Sequence, residues 1–271
     1  MPQISDRTGL PRKELTIFYV LDTSGSMADD GKITALNCAM EECTDALKEL
    51  AKDNGDAMLK IAILEVNSGC KWVTSHGPEY LEKDFMYEHL SAGGLTDIGA
   101  ALKELNSKLS RHAYLQSMTG ALMPIIIFMT DGMATDDWKS GLEVIRKNKW
   151  YQRGTKIGFA IGDNADVAMI ASVVGNKEAV IKTTDLDLFR RLMKFVTVTS
   201  SMLVSTSQTP DTKTDAGDIV KDGIKQTGGE GKVEDIELQT TTDPEEVKDG
   251  GGTYMPEPEP DPEVWSEDEE W

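Results

Sequence analysis

No stretch of this 271-residue sequence reaches the ~18 consecutive apolar residues that a membrane-crossing helix needs. Residues 1–12 are polar, contain Pro2 and Pro11 and have no apolar core, so no secretion signal is expected there. Basic residues are too few to offset the acids: 28 Lys+Arg stand against 47 Asp+Glu, a net charge of −19. Such a chain is poorly suited to nucleic acid, whose phosphates select basic surfaces. Cysteine is scarce as well. Cys38, Cys43 and Cys70 are an odd number with no CxxC spacing, which disfavours a disulfide framework or a zinc ribbon. Cys38 and Cys43 fall on a predicted helix and read as small core residues. Together these absences lead us to expect a cytoplasmic chain without membrane or nucleic-acid partners.

What the sequence does contain is divided unevenly. Residues 203–271 hold 20 acidic side chains against five lysines, whereas the first 202 residues hold 27 against 23. The acidic part is rich in Thr and Gly, poor in large apolar residues, and includes the run PEPEPDPE at 256–263. Such a segment buries too little apolar surface to offset its ordering entropy, so residues 203–271 are expected to form a disordered acidic tail. That leaves a short arm over 1–12 and a folded domain over 13–202.

The domain alternates two signals. Residues 15–21 (LTIFYVL), 60–66 (KIAILEV), 124–129 (PIIIFM) and 156–161 (KIGFAI) are short, mostly apolar runs and read as strands. Residues 70–74 read as an edge strand, reached through the turn Asn67-Ser68-Gly69. Between them lie helical periods: Ile33, Leu36, Met40, Cys43, Leu47 and Leu50; Ile98, Leu102, Leu105 and Leu109; Leu186, Phe189, Met193 and Val196. Trp138, Leu142 and Ile145 predict a further helix, and 167–174 a short one. Strands alternating with helices predict an α/β fold, doubly wound around a mostly parallel sheet. In such sheets ligands bind beyond the carboxyl ends of the strands, at the switch in strand order.

Three motifs sit at those ends. The first strand runs into Asp22-Thr23-Ser24-Gly25-Ser26, whose Asp-x-Ser-x-Ser spacing places the side-chain oxygens of Asp22, Ser24 and Ser26 on one tight loop. The strand 124–129 ends in Thr130-Asp131-Gly132, a second carboxylate at a strand end. The loop Ser91-Ala92-Gly93-Gly94-Leu95-Thr96-Asp97 offers the Thr96 hydroxyl at the start of a helix. Ser24 and Ser26 read alternatively as helix-start caps, a common use of serine.

Taken in this order, the motifs resemble those of the von Willebrand factor A family and its metal-ion-dependent adhesion site, over roughly residues 13–202. The resemblance implies that Ser24, Ser26 and Thr96 supply metal-binding hydroxyls and that Asp22 and Asp131 are the acidic members. A set of oxygen donors suits Mg²⁺ or Mn²⁺ better than zinc. Hydroxyls leave most of the ion's charge uncancelled, so a carboxylate from a partner protein can take a coordination position. The loop also has the outline of the DxDx(T/V) phosphatase motif, but Ser24 stands where that motif needs its second acid. No GxxxxGK(S/T) is present, and His76, His89 and His112 have no nucleophile context. Binding rather than turnover is therefore expected, with a divergent metal-dependent phosphohydrolase as the enzymatic alternative.

The runs LDTSGSM and GGLTDIGAAL look like those of bacterial TerY-like proteins of tellurite resistance. This implies an adaptor in a stress-response or signalling assembly, with a Ser/Thr kinase and a metal-dependent protein phosphatase as partners. The alternative is a substrate-recruiting partner of an AAA-type ATPase. In the tail, Thr212 and Thr240 each have Asp three residues later and are candidate phosphorylation sites. Trp265 and Trp271 lie within the last seven residues among acids and are candidate docking anchors.

Overall fold

The computed structural model describes residues 11–83, 85–206 and 215–234. The elements are β1 (Lys13–Asp22), α1 (Lys32–Asp53), β2 (Ala57–Asn67), β3 (Gly69–Trp72), β4 (Glu79–Tyr80), α2 (Ile98–Lys108), β5 (Ile125–Thr130), α3 (Trp138–Ile145), α4 (Lys149–Arg153), β6 (Thr155–Ile161), α5 (Val167–Val174), β7 (Val180–Thr183), α6 (Leu186–Thr206) and α7 (Ala216–Gln226). The sheet runs β3-β2-β1-β5-β6-β7. Strands β2, β1, β5, β6 and β7 are mutually parallel, and the edge strand β3 and the short β4 pair antiparallel with β2.

Why these runs become buried strands is visible in β1. Its side chains alternate between faces with the period of two that a strand imposes. Leu15, Ile17, Tyr19 and Leu21 enter one core, and Phe18 and Val20 the other. Both faces are apolar because helices cover both. On the first face, α1 contributes Leu36, Met40, Cys43 and Leu47, and α6 contributes Phe189, Leu192, Met193 and Val196. On the second, α2 contributes Leu102 and Leu105, α3 Leu142 and Ile145, and α5 Ile170 and Val173. Each fully buried Leu, Ile or Phe contributes roughly 1.5–3 kcal/mol relative to its exposed state. Polar residues set the ends: Asp137, Asp166 and Asn148 cap α3, α5 and α4, and α5 stops at Gly175 in the left-handed region. This is the doubly wound, mostly parallel α/β architecture expected from the alternation of signals.

The three cysteines are free. Cys43 is buried, and burial pushes its thiol up to about 12, which leaves it inert. Among the described residues no helix is long and apolar enough to cross a membrane.

One boundary differs from expectation. Ordered structure does not stop at 202: α6 runs on to Thr206, and α7 lies inside the stretch whose composition predicts disorder. Its acids, Asp218 and Asp222, face outward, while Gly217, Ile219, Val220 and Gly223 are buried. Asp215, the acid three residues after Thr212, accepts a hydrogen bond from Gly217 N at 2.8 Å and caps the helix. The following turn is tied to β7, where Glu234 N donates to Lys182 O and Thr183 Oγ1 to Lys232 O. Average composition concealed a single apolar stripe of a few residues. Thr212, Thr240, Trp265 and Trp271 lie outside the described residues.

Candidate metal centre

The order of strands reverses between β1 and β5: from β1 the chain goes outward to β2 on one side, and β5 lies on the other. Asp22 is the last residue of β1, and Asp131 follows the last residue of β5. Parallel pairing sets Leu21 beside Met129, so the two carboxylates emerge side by side at the carboxyl edge.

The β1 loop is shaped by its own polar groups. Ser24 N donates to Asp22 Oδ1 at 2.8 Å, the local bond by which aspartate favours a turn. Thr23 N donates to Val66 O, and Thr23 Oγ1 donates to Glu65 Oε1 at 3.0 Å, which pins the loop to β2. Met27 is buried and anchors the 3₁₀ turn Gly25–Gly31 to the core. Ser24 Oγ then lies 3.1 Å from Ser26 Oγ, and Ser26 Oγ donates to Asp131 Oδ1 at 2.7 Å. Thr130 Oγ1 donates to Asp22 Oδ2 at 2.5 Å, closing the circuit between the two strand ends. Asp22, Ser24, Ser26 and Asp131 thus form one hydrogen-bonded cluster.

Thr96 is brought to the same edge by its loop. Gly93 N donates to Thr23 O at 2.8 Å, and Gly25 N donates to Gly94 O at 3.0 Å, which sews the glycine loop onto the β1 loop. Gly94 has φ +82°, and a Cβ there would lie 2.8 Å from Ser68 Oγ, so both conformation and space require glycine. Thr96 N donates to Thr135 Oγ1 and Thr135 N to Thr96 O, at 3.0 and 2.9 Å. Asp97 accepts from Gly69 N and Thr135 Oγ1, and Asp136 accepts from the first free amides of α2, Gly99 N and Ala100 N.

Electrostatically the site is a buried pair of acids. Asp22 and Asp131 are 0% and 1% exposed, Ser24 2% and Thr96 5%, while Ser26 opens to solvent. Burial pushes the Asp22 carboxyl above the ordinary carboxylate range; hydrogen bonds from Thr130 and Ser24 pull it back, and the neighbouring Asp131 adds to the rise. Two carboxylates and hydroxyls at this edge are hard oxygen donors, the set that suits Mg²⁺ or Mn²⁺. Among the described residues no group of three or more His, Cys, Asp or Glu converges, so a softer nitrogen- or sulfur-based site is not assembled from them. The donors present fit the divalent cation that the motifs imply.

Several contributors went unread in the sequence. Thr130 was seen only as the residue before Asp131. Thr135 and Asp136 belong to the segment before α3, with no motif to mark them. Lys32, the first residue of α1, places its Nζ 2.8 Å from Asp131 Oδ2. Leu95 and Met133 flank Thr96 and Asp131 and are 54% and 70% exposed. Large apolar side chains bare to solvent beside a strand-end loop are the one signal that marks them, and it needs the fold to be seen.

No protein-family model matches the sequence, and no curated protein does. Solved structures do match. A von Willebrand factor type A protein from Catenulispora acidiphila superposes with a TM-score of 0.52 at 18% identity, over 69% of this chain and 43% of that one. A D319A mutant of the PilB minor pilin from Streptococcus sanguinis gives 0.53 at 14% identity, over 74% of this chain and 64% of that one. The pilus adhesin SpaC from Lactobacillus rhamnosus GG gives 0.50 at 10%, over 79% and 32%. This chain therefore spans less than two thirds of the length of each. At these identities the likeness is one of architecture, and this chain has the fold of von Willebrand factor A-type domains.

Proposed function

We propose that the chain is a protein-interaction module that holds a divalent cation at the β1/β5 edge and uses it to capture an acidic side chain of a partner. The observation that carries the reading is the cluster Asp22–Ser24–Ser26–Asp131, closed by Thr130 and faced by the loop of Thr96. In it, Ser24, Ser26 and Thr96 would hold the ion through neutral oxygens, with Asp22 and Asp131 orienting them. The ion supplies a Lewis-acidic position that a carboxylate can fill. Leu95 and Met133 would add apolar contact around that carboxylate, so the partner presents Asp or Glu beside an apolar residue. Ser24 in place of a second acid favours binding over hydrolysis, and His89, paired with Glu41 at 2.8 Å on the surface, offers no base to the site. The resemblance of LDTSGSM and GGLTDIGAAL to runs of TerY-like proteins supports an adaptor role in a stress-response or phosphorylation assembly with a kinase and a metal-dependent phosphatase.

Immobilised full-length chain should retain a defined set of host proteins in Mg²⁺ and release them in EDTA. The Ser24→Ala/Ser26→Ala double variant should retain less than about a tenth as much, given the usual cost of losing a metal's oriented ligands. Retention that is the same in EDTA, or unchanged in the double variant, would overturn the reading. The identity of what is retained separates a kinase–phosphatase assembly from an ATPase partner.

A further inference from the structure

Helix α1 begins in an unusual way. Its first residue is Lys32, its first turn carries no acidic side chain, and its N-terminal residue Gly31 offers no side-chain cap. A lysine there opposes the helix dipole, whose positive end lies at the N-terminus. The backbone leading to it is also costly: Asp30 has φ 54°, the one non-glycine residue with positive φ among those described, and Gly31 follows at φ 76°. Two successive left-handed residues turn the chain so that Lys32 reaches back across the strand ends. It passes beside Gly162, just beyond β6, where an added Cβ would lie 3.5 Å from Lys32 Cε. The ammonium meets Asp131 Oδ2 at 2.8 Å, with Ser26 O farther off at 3.4 Å. The Lys32 side chain is 12% exposed and that of Asp131 fully buried.

Both oxygens of Asp131 are therefore engaged, Oδ1 by Ser26 Oγ and Oδ2 by Lys32 Nζ. An ammonium that is mostly shielded from water and set on a buried carboxylate is screened less than a surface ion pair. We propose that Lys32 is a built-in cation that competes with the divalent ion for Asp131: it neutralises this carboxylate when no ion is bound, and it keeps Asp131 from cancelling the ion's charge when one is. This rests on the metal-site reading above and adds a charge count to it. Asp22 and Asp131 bring two negative charges, the ion two positive and Lys32 one. The loaded site is left with a single positive charge, which one external carboxylate balances. Lys32 thus weakens metal binding and, by the same contact, sharpens the demand for an acidic partner.

The test is calorimetric titration of full-length wild type, Lys32→Met and Lys32→Arg with Mn²⁺ and Mg²⁺, alongside thermal unfolding in EDTA. Lys32→Met should bind either ion at least tenfold more tightly than wild type and melt at a lower temperature in EDTA, with added Mn²⁺ raising its melting point further than it raises that of wild type. Lys32→Arg keeps the charge and should stay within about threefold of wild type in affinity. If Lys32→Met folds only with metal present, competition for Asp131 is supported in its strongest form. Equal or weaker affinity in Lys32→Met, with wild type binding the ion, overturns the role of Lys32 and leaves the metal site standing. Absence of binding in wild type together with all variants overturns both.

Discussion

Asp22→Asn should weaken Mg²⁺ binding on the order of a hundredfold while leaving the metal-free domain at least as stable as wild type. The two halves of this result have one cause. Asp22 is fully buried at the end of β1, accepting from Ser24 N at 2.8 Å and from Thr130 Oγ1 at 2.5 Å. An asparagine of the same shape can still accept from Ser24 N, and its amide can donate to Thr130 Oγ1 by rotation of the hydroxyl. The loop therefore survives, but the negative charge that a cation needs is gone. The charge itself is a liability without metal. Burial holds the Asp22 carboxyl above its ordinary 3.8, so the folded state binds this proton more readily than the unfolded chain does. The sign follows: below 3.8 the group favours folding, and that contribution is lost as pH rises through the raised value, until at neutral pH the ionised carboxylate opposes folding. Removing the charge relieves that opposition. In EDTA, wild type should lose stability relative to Asp22→Asn as pH rises from 3.8 toward neutrality, followed by thermal unfolding across that range. A variant that binds Mg²⁺ like wild type would contradict the assignment of Asp22.

Gly141→Ala should cost about 2 kcal/mol, a drop in melting temperature of roughly 4–8 °C for a domain of this size. Helices α2 and α3 approach backbone to backbone at Gly99 and Gly141. A Cβ on Gly141 would lie 2.6 Å from Gly99 O and 3.0 Å from Gly99 Cα, and a Cβ on Gly99 would lie 2.5 Å from Asp137 O. Alanine gains about 1 kcal/mol of helix propensity over glycine. Overpacking against main-chain atoms, which cannot rotate away, costs up to about 3 kcal/mol, so the clash wins. The consequence reaches the site. Asp136 holds the first amides of α2, and Thr135 holds Thr96, so pushing α3 outward moves the segment that holds the Thr96 loop. Metal affinity should fall together with stability, several-fold in a titration performed well below the melting point. A neutral or stabilising effect would show that the helices have room to part.

How far the site could be read from the residues follows from what each does locally. That Asp22, Ser24, Ser26 and Asp131 share one edge was legible because the motifs follow directly on apolar strands, and parallel pairing puts those strand ends on the same side of the sheet. The place of the Thr96 loop at the start of α2 was legible from the helical period that follows it. Lys32 was not, because a lysine at a helix end is ordinary and its partner Asp131 is 99 residues away. The same holds for the strand β7, only four residues long, and for β4, two residues long, which show no alternation to recognise. Helix α7 was hidden because its outward acids dominated the composition, whereas Asp215 followed by Ile219, Val220 and Ile224 was a cap and a stripe in plain view. The two-sided core follows from near-continuous apolar runs such as Ile125-Ile126-Ile127, whose side chains alternate between the two helical layers.

The most direct measurement is anomalous diffraction from a crystal of the full chain soaked in Mn²⁺. The account predicts a single strong manganese peak at the carboxyl edge of β1 and β5, bonded to Ser24 Oγ, Ser26 Oγ and Thr96 Oγ1, with Asp22 and Asp131 beside it. Well-ordered density for those five side chains with no manganese among them, or with Thr96 turned away from the two serines, would contradict it.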